Sequence, residues 1–291
     1  RECHGDLHLG NIAWLATPGG LGEPLIFDSL EFNPDLRHID VISELAFLAM
    51  DLHARDRADL AWRFLDRYLT RTGDHAGLVV YPYYTVYRAM VRAKVAALRA
   101  AQGEAGALAD CARQIALAEG LARPGPNALI LMHGPSGSGK SWLSEHLLEA
   151  LGAIRLRSDV ERKRLFGLDA EADSRATGDI YTPDASRRAF ARLAELAGML
   201  LDAGYRVIVD ATFLGRAHRR TFEALAETGG HPWRLVSMQL PAVELRARVQ
   251  ARQARGGDAS EADLAVLDSQ LQAAEALDPN EAAHATPVSA S

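Results

Sequence analysis

The sequence predicts an α/β protein whose C-terminal half is a parallel sheet covered by helices on both faces, preceded by a mainly helical region. Three observations carry that expectation. From residue 127 onward, short apolar runs alternate with amphipathic segments of helical length. The first run, Leu129-Ile130-Leu131-Met132, enters a glycine-rich turn and then an amphipathic stretch from Trp142 to Leu151. Before residue 122, after an opening hairpin-like stretch, apolar residues recur at three- and four-residue spacing.

Residues 1–33 are turn-rich, with a break at Pro18-Gly19-Gly20 and a short apolar strand, Leu25-Ile26-Phe27. Ile39, Ile42, Leu45, Ala46, Leu48 and Ala49 mark one helix, and further helices are expected over 56–72, 82–101 and 105–121. Arg123-Pro124-Gly125-Pro126 breaks helix and reads as a linker. Beyond it, strands are expected at 128–132, 154–157, 206–210 and 235–240, with helices between them. The helix over 184–203 meets Gly204, the residue type that favours a left-handed helix end. Residues 282–291 are small and polar, and are expected to fray. The domains therefore read as 1–122, a linker at 123–126, 127–280, and a tail at 281–291.

A chain of 291 residues suits two domains, and its 48% apolar and 24% charged residues suit globular folding. A net charge of −6 argues against gripping nucleic acid by bulk charge. No apolar run approaches the length of a membrane span, and Arg1-Glu2-Cys3-His4 does not open a signal peptide. Cys3 and Cys111 read as free thiols in a reducing, cytoplasmic setting. The chain lacks an initiating Met and opens inside a catalytic-looking motif, so a piece of a longer protein is expected. Nothing in the sequence indicates an oligomeric state.

The turn is Gly134-Pro135-Ser136-Gly137-Ser138-Gly139-Lys140-Ser141. Glycines let backbone N–H groups turn inward around a polyphosphate, and the following helix adds free donors and a favourable dipole. In this pattern Lys140 reaches the β- and γ-phosphates and the Ser141 hydroxyl binds Mg²⁺. The strand–loop–helix context separates it from a glycine-rich linker. ATP and Mg²⁺ are the expected ligands.

Three clusters narrow the use of that loop. Asp159, just past the second strand, is placed to orient or deprotonate an acceptor hydroxyl, and Arg162 shares its helix face. An N-capping Ser158 or Asp159 with a solvated Arg162 is the competing reading. Val207-Ile208-Val209-Asp210-Ala211-Thr212 delivers Asp210 to the same sheet edge, where it can hold Mg²⁺. The residue after Asp210 is not the Glu of many hydrolytic motors, and no Asn-Lys-x-Asp base-reading motif occurs, so a kinase is favoured. Arg248 and Arg252, four apart, suit a lid that stabilises a phosphoryl group in flight, with Gly256-Gly257-Asp258 as its hinge. A solvated basic helix competes with that reading. Residues 127–280 resemble the P-loop kinase family that includes the kinase domain of polynucleotide kinase, gluconate kinase and zeta-type toxins. The resemblance implies Asp159 as acceptor base, Arg162 as an acceptor or phosphate contact, and Arg248 or Arg252 as lid arginines.

The opening motif is His4-Gly5-Asp6-Leu7-His8-Leu9-Gly10-Asn11. Asp and Asn five apart suit a phosphotransferase loop in which Asp6 orients a hydroxyl and Asn11 binds metal, with Asp28 as a second metal carboxylate. A zinc reading of His4 and His8 lacks further ligands nearby. The run closely resembles the catalytic loop of the aminoglycoside phosphotransferase family, and Phe27–Asn33 its metal-binding segment. Asp40 is expected either to brace this loop as a buried acid or to begin a helix. The resemblance covers only the C-terminal lobe, so this site is expected to be inactive in the chain as it stands.

Together these readings predict a phosphotransferase that moves the γ-phosphate of ATP to a small-molecule hydroxyl acceptor. The alternatives are a nucleotide-binding regulatory module and a nucleic-acid 5′-hydroxyl kinase, the latter disfavoured by the acidic balance. Substrate selectivity between Asp159, the Tyr181 region and the lid carries no recognisable code.

Overall fold

Internal contacts divide the chain into two units, Arg1–Leu65 with Asp74–Pro124, and Asp66–Gly73 with Gly125–Ser291. The computed structural model describes all residues except 17–19, 21, 124, 173, 175–179, 256–261 and 290–291, and omits the side chains of 254 and 255. The breaks expected at Pro18-Gly19 and Pro124, and the Gly256-Gly257-Asp258 hinge, lie outside the described residues.

In the first unit a 3-10 turn, Leu9–Asn11, leads into an antiparallel ribbon of β1 (Ile12–Leu15) and β2 (Glu23–Ile26). The expected strand is thus the second arm of a pair. Helices α1 (Pro34–Arg37) and α2 (Val41–His53) follow, then α3 (Ala58–Thr72), α4 (Tyr81–Ala101) and α5 (Ala107–Leu121). Phe47 and Met50 of α2 pack on Ala89 of α4 and Ala118 of α5, large side chains facing small ones. Asp40 begins α2: its carboxylate accepts the Ile42 N–H at 2.9 Å. α3 starts in the first unit, yet its residues from Asp66 count with the second, which no sequence signal indicated. Its last carbonyls, those of Leu69 and Thr70, accept hydrogen bonds from Arg164 at 3.2 and 2.8 Å.

The second unit runs β3 (Ala128–His133), α6 (Lys140–Leu151), β4 (Ala153–Arg157), α7 (Ser158–Leu165), α8 (Pro183–Asp202), β5 (Arg206–Asp210), α9 (Arg216–Gly229) and β6 (Trp233–Gln239). It closes with α10 (Ala242–Arg255), α11 (Leu264–Ala273), α12 (Pro279–Ala283) and β7 (Ala285–Ser289). The sheet has five parallel strands in the order β4-β5-β3-β6-β7, flanked by helices. Val207, Ile208 and Val209 are all fully buried. Consecutive strand residues point to opposite faces, so both faces are covered. β3 lies between β5 and β6, and the crevice outside the carboxyl end of such a strand is where α/β sheets take ligands.

One expectation is overturned. Within the stretch expected to fray, Ala285–Ser289 instead form an edge strand in register with β6, Leu235 opposite Ala285 and Met238 opposite Val288. A capping box between Asp278 and Glu281, with Pro279 in the first turn, starts α12 just before it. Glu281 is fully buried, and both its oxygens take the Arg219 guanidinium, at 2.8 and 3.1 Å. Small, polar composition concealed these anchors. Among the described residues, no helix is long and apolar enough to cross a membrane.

Candidate phosphate-binding site

The glycine-rich turn leaves β3 and closes on α6. Gly134 N–H donates to the Thr212 carbonyl at 3.0 Å, tying the turn to the segment after β5. Gly137 has φ +81°, and a Cβ there would stand 3.0 Å from the Leu245 carbonyl oxygen, so a larger residue meets both strain and α10. Gly139 precedes α6 at φ +91°, and no side chain caps the helix. The first-turn amides are therefore left for an anion. Ser136 N–H is taken by the Gln270 side chain of α11 at 2.7 Å.

Lys140 folds back across the turn, donating to the Pro135 carbonyl at 2.8 Å. Burial pushes its ammonium down to about 8, against the pull of Asp210 and Asp159. Asp210 stands at the end of β5, level with Arg157 on β4, whose Nε lies 3.9 Å from its carboxylate. The Ser144 hydroxyl lies 3.3 Å from the same carboxylate. Ser141 and Asp210 offer hard oxygen ligands of the kind Mg²⁺ takes, and the uncapped amides beside Lys140 suit a triphosphate, so the residues present fit both groups.

Asp159 occupies the first turn of α7 and accepts from Arg162 Nη1 at 3.2 Å. The Arg162 guanidinium lies 4.8 Å above the Tyr181 ring. The α7 N-cap position is Arg157, whose side chain makes no capping hydrogen bond, so neither Ser158 nor Asp159 holds that position. Arg248 and Arg252 lie on α10, and Arg252 Nη2 donates to the Ala262 carbonyl at 2.7 Å. Lys140, Ser141, Asp159, Arg162, Asp210, Arg248 and Arg252 all line one cleft of about 1240 Å³. That is larger than a typical pocket for a single small molecule. Both arginines line this cleft, and Arg248 lies 3.9 Å from Glu244 one turn earlier on α10.

Sequence reasoning missed several neighbours. His218 stacks on Phe190 at 3.8 Å between ring centroids, and burial and then Arg162 lower its pKa. Gln270 had no sequence signal. Arg155 did: a charged residue between Ile154 and Leu156 in a buried strand implies a buried partner.

In the first unit, Asn11 Nδ2 donates to the Asp6 carbonyl at 3.0 Å and lies 3.3 Å from its carboxylate. Phe27 N–H donates to the Asn11 carbonyl at 3.0 Å, which sets Asp28, at φ +63°, beside the loop. The braces are not Asp40 but Glu44 and Asp51. Glu44 accepts from the backbone of His4 at 3.1 Å and of Gly5 at 3.1 Å, and Asp51 accepts from Leu9 N–H at 2.9 Å. Asp40 is excluded from bracing because its carboxylate is spent on the helix start and on Tyr84, whose hydroxyl lies 3.3 Å away.

A family model described as an AAA domain, AAA_33, matches residues 129–277. Uncharacterized proteins of Mycobacterium tuberculosis and Mycobacterium bovis are 37% identical to the chain over 202 residues, which is 66% of this chain and 39% of each relative. The chain thus spans about two fifths of the length of the curated relatives it matches. A sugar kinase from Janibacter sp. HTCC2649 is similar in structure at 23% identity and a TM-score of 0.43, covering 56% of this chain and 86% of that one. A gluconokinase from Sinorhizobium meliloti 1021 is similar at 23% identity and a TM-score of 0.39, covering 57% and 84%. Likenesses at these scores carry no argument about activity.

Proposed function

The chain belongs to the AAA_33 family of AAA domains, and from that premise we propose that its second unit is an ATP- and Mg²⁺-dependent phosphotransferase acting on a small-molecule hydroxyl acceptor. One observation carries the reading: Lys140, Asp159 and Asp210 line a single cleft beside an uncapped helix start. Asp159 takes the proton of the acceptor hydroxyl as that oxygen bonds to the γ-phosphorus, and the bond to the bridging oxygen breaks with its electron pair staying on ADP. Arg162 holds the Asp159 carboxylate in place. Lys140 and the first-turn amides of α6 bind the β- and γ-phosphates, while Arg248 and Arg252 counter charge on the moving phosphoryl group. Ser141 and Asp210 hold Mg²⁺, which when bound neutralises charge on the phosphate oxygens.

The loop of Asp6 and Asn11, with Asp28 beside it, is read as the counterpart site of an aminoglycoside-phosphotransferase-like lobe. The Asn11–Asp6 contact and the two carboxylate braces support that reading.

The test incubates the chain with ATP and Mg²⁺ against sugars, polyols, nucleosides, aminoglycosides and 5′-hydroxyl RNA. The expected result is ADP release stimulated by one acceptor, which gains the mass of one phosphoryl group. Calorimetry showing no nucleotide binding overturns the proposal. Tight binding with no acceptor in the panel favours a regulatory module instead.

A further inference from the structure

The metal-binding pair of the cleft is backed by an ion pair that reaches outside the segment matching the family. Arg155 of β4 donates to both oxygens of Asp66, from Nε at 3.1 Å and from Nη2 at 2.7 Å. The two side chains are 3% and 5% exposed. The remaining nitrogen, Nη1, donates to the Ser141 carbonyl at 3.2 Å and to the Ser144 hydroxyl at 3.3 Å. That hydroxyl lies 3.0 Å from the Ser141 carbonyl and 3.3 Å from the Asp210 carboxylate, to one of which it gives its proton. A continuous buried chain therefore runs from Asp66 through Arg155 to the residues bearing both proposed metal ligands.

We infer that Asp66 is a positioning residue for the Ser141–Asp210 metal site, acting through Arg155. The inference rests on the phosphotransferase reading. A guanidinium this deeply buried needs a compensating charge, and Asp66 supplies it through a two-point grip. Without that carboxylate, the next acid toward which Arg155 is drawn is Asp210, reached across Ser144. Arg155 then competes with the metal for the Asp210 charge and pulls on the Ser141 carbonyl. The damage falls on metal-dependent binding rather than on the phosphate cradle itself.

Calorimetry with a non-hydrolysable ATP analogue, in Mg²⁺ and in EDTA, separates these terms, with thermal melting as a check on folding. Asp66→Asn is expected to weaken binding in Mg²⁺ about tenfold, the size of one lost charge contact, with affinity in EDTA unchanged within about twofold. The double variant Asp66→Leu with Arg155→Met removes the freed cation and is expected to recover most of the Mg²⁺-dependent affinity, since no uncompensated buried charge is left beside Asp210. Equal losses in Mg²⁺ and EDTA, or a double variant no better than Asp66→Asn, overturn the inference by making the pair a brace of the fold alone. Wild-type protein that binds no nucleotide in either condition overturns the phosphotransferase reading and this inference with it. Wild-type binding in Mg²⁺ that Asp66→Asn matches overturns the inference alone.

Discussion

Both units hold a functional-looking loop against a helix with a buried carboxylate, but they treat the charge differently. In the second unit Asp66 faces a guanidinium and is gripped at two points. In the first, Glu44 accepts from the main-chain N–H groups of His4 and Gly5, at 3.1 to 3.3 Å. Burial pushes the Glu44 carboxyl above its ordinary range, and those hydrogen bonds, with His4 and Arg88 nearby, only partly oppose it. For Glu44 the cost of burial outweighs the hydrogen bonds and nearby cations that favour the ionised form, so the carboxyl is strained toward its neutral form. The second unit thus sets a buried ion pair behind its loop, and the first a carboxylate that burial strains.

The sharpest way to break this contrast is to remove the charge on which the second unit's loop is built. Lys140→Ala is expected to lower phosphoryl transfer by about 10³ or more, the upper end for one lost stabilising donor in a closed site. Steady-state ADP release measures it. Turnover within tenfold of wild type would move catalysis away from the glycine-rich turn.

Asp159→Asn sharpens the division of labour inside the cleft. Loss of a positioned base lowers rate by about 10²–10⁴, so at least a hundredfold fall is expected, with nucleotide affinity nearly unchanged by calorimetry. A fall under tenfold makes Asp159 a positioning group.

The parts of this architecture legible in the sequence are those whose partners are close in the chain. The phosphate loop is eight consecutive residues, and Asp159 with Arg162 is a three-residue helical spacing. The pair of Asp66 and Arg155 spans 89 residues and joins a helix that reads as part of the first region, so only half its signal, a charge inside an apolar strand, was visible. Glu44 and Asp51 were legible in principle. Seven residues apart, they share one face of α2, whereas the acid nearest the helix start suits either a brace or a cap by sequence. That acid, Asp40, caps the helix. The edge strand β7 was hidden because its composition is that of a tail, while its anchors lie upstream in Asp278 and Glu281.

A smaller effect tests the second unit's electrostatics without any acceptor. Burial pushes the Lys140 ammonium down to about 8, and a bound triphosphate restores its preference for the proton. Nucleotide binding at pH 8.5 is therefore expected to take up a fraction of a proton, and affinity to fall by up to about tenfold per pH unit above 8, the limit for one linked proton. Calorimetry in buffers of different ionisation enthalpy reads the uptake directly, and Lys140→Ala should abolish it. Binding that exchanges no proton at pH 8.5 means the ammonium does not meet the phosphates.

The smallest expected effect lies in the first unit, where the brace is strained rather than paired. Glu44 is raised above its ordinary 4.5 in the folded chain, so the folded state holds the proton more tightly than the unfolded state does. Its contribution to stability is complete below pH 4.5 and is lost as pH rises through the elevated value. Amide-exchange protection at Gly5, corrected for intrinsic exchange, should fall across that window. Glu44→Gln cannot ionise but keeps an oxygen for the His4 and Gly5 amides, so its protection should be flat with pH. If the glutamine variant keeps the slope, another titrating group governs the loop. If protection rises with pH, the ionised carboxylate is the better acceptor, and the two units brace their loops by the same means after all.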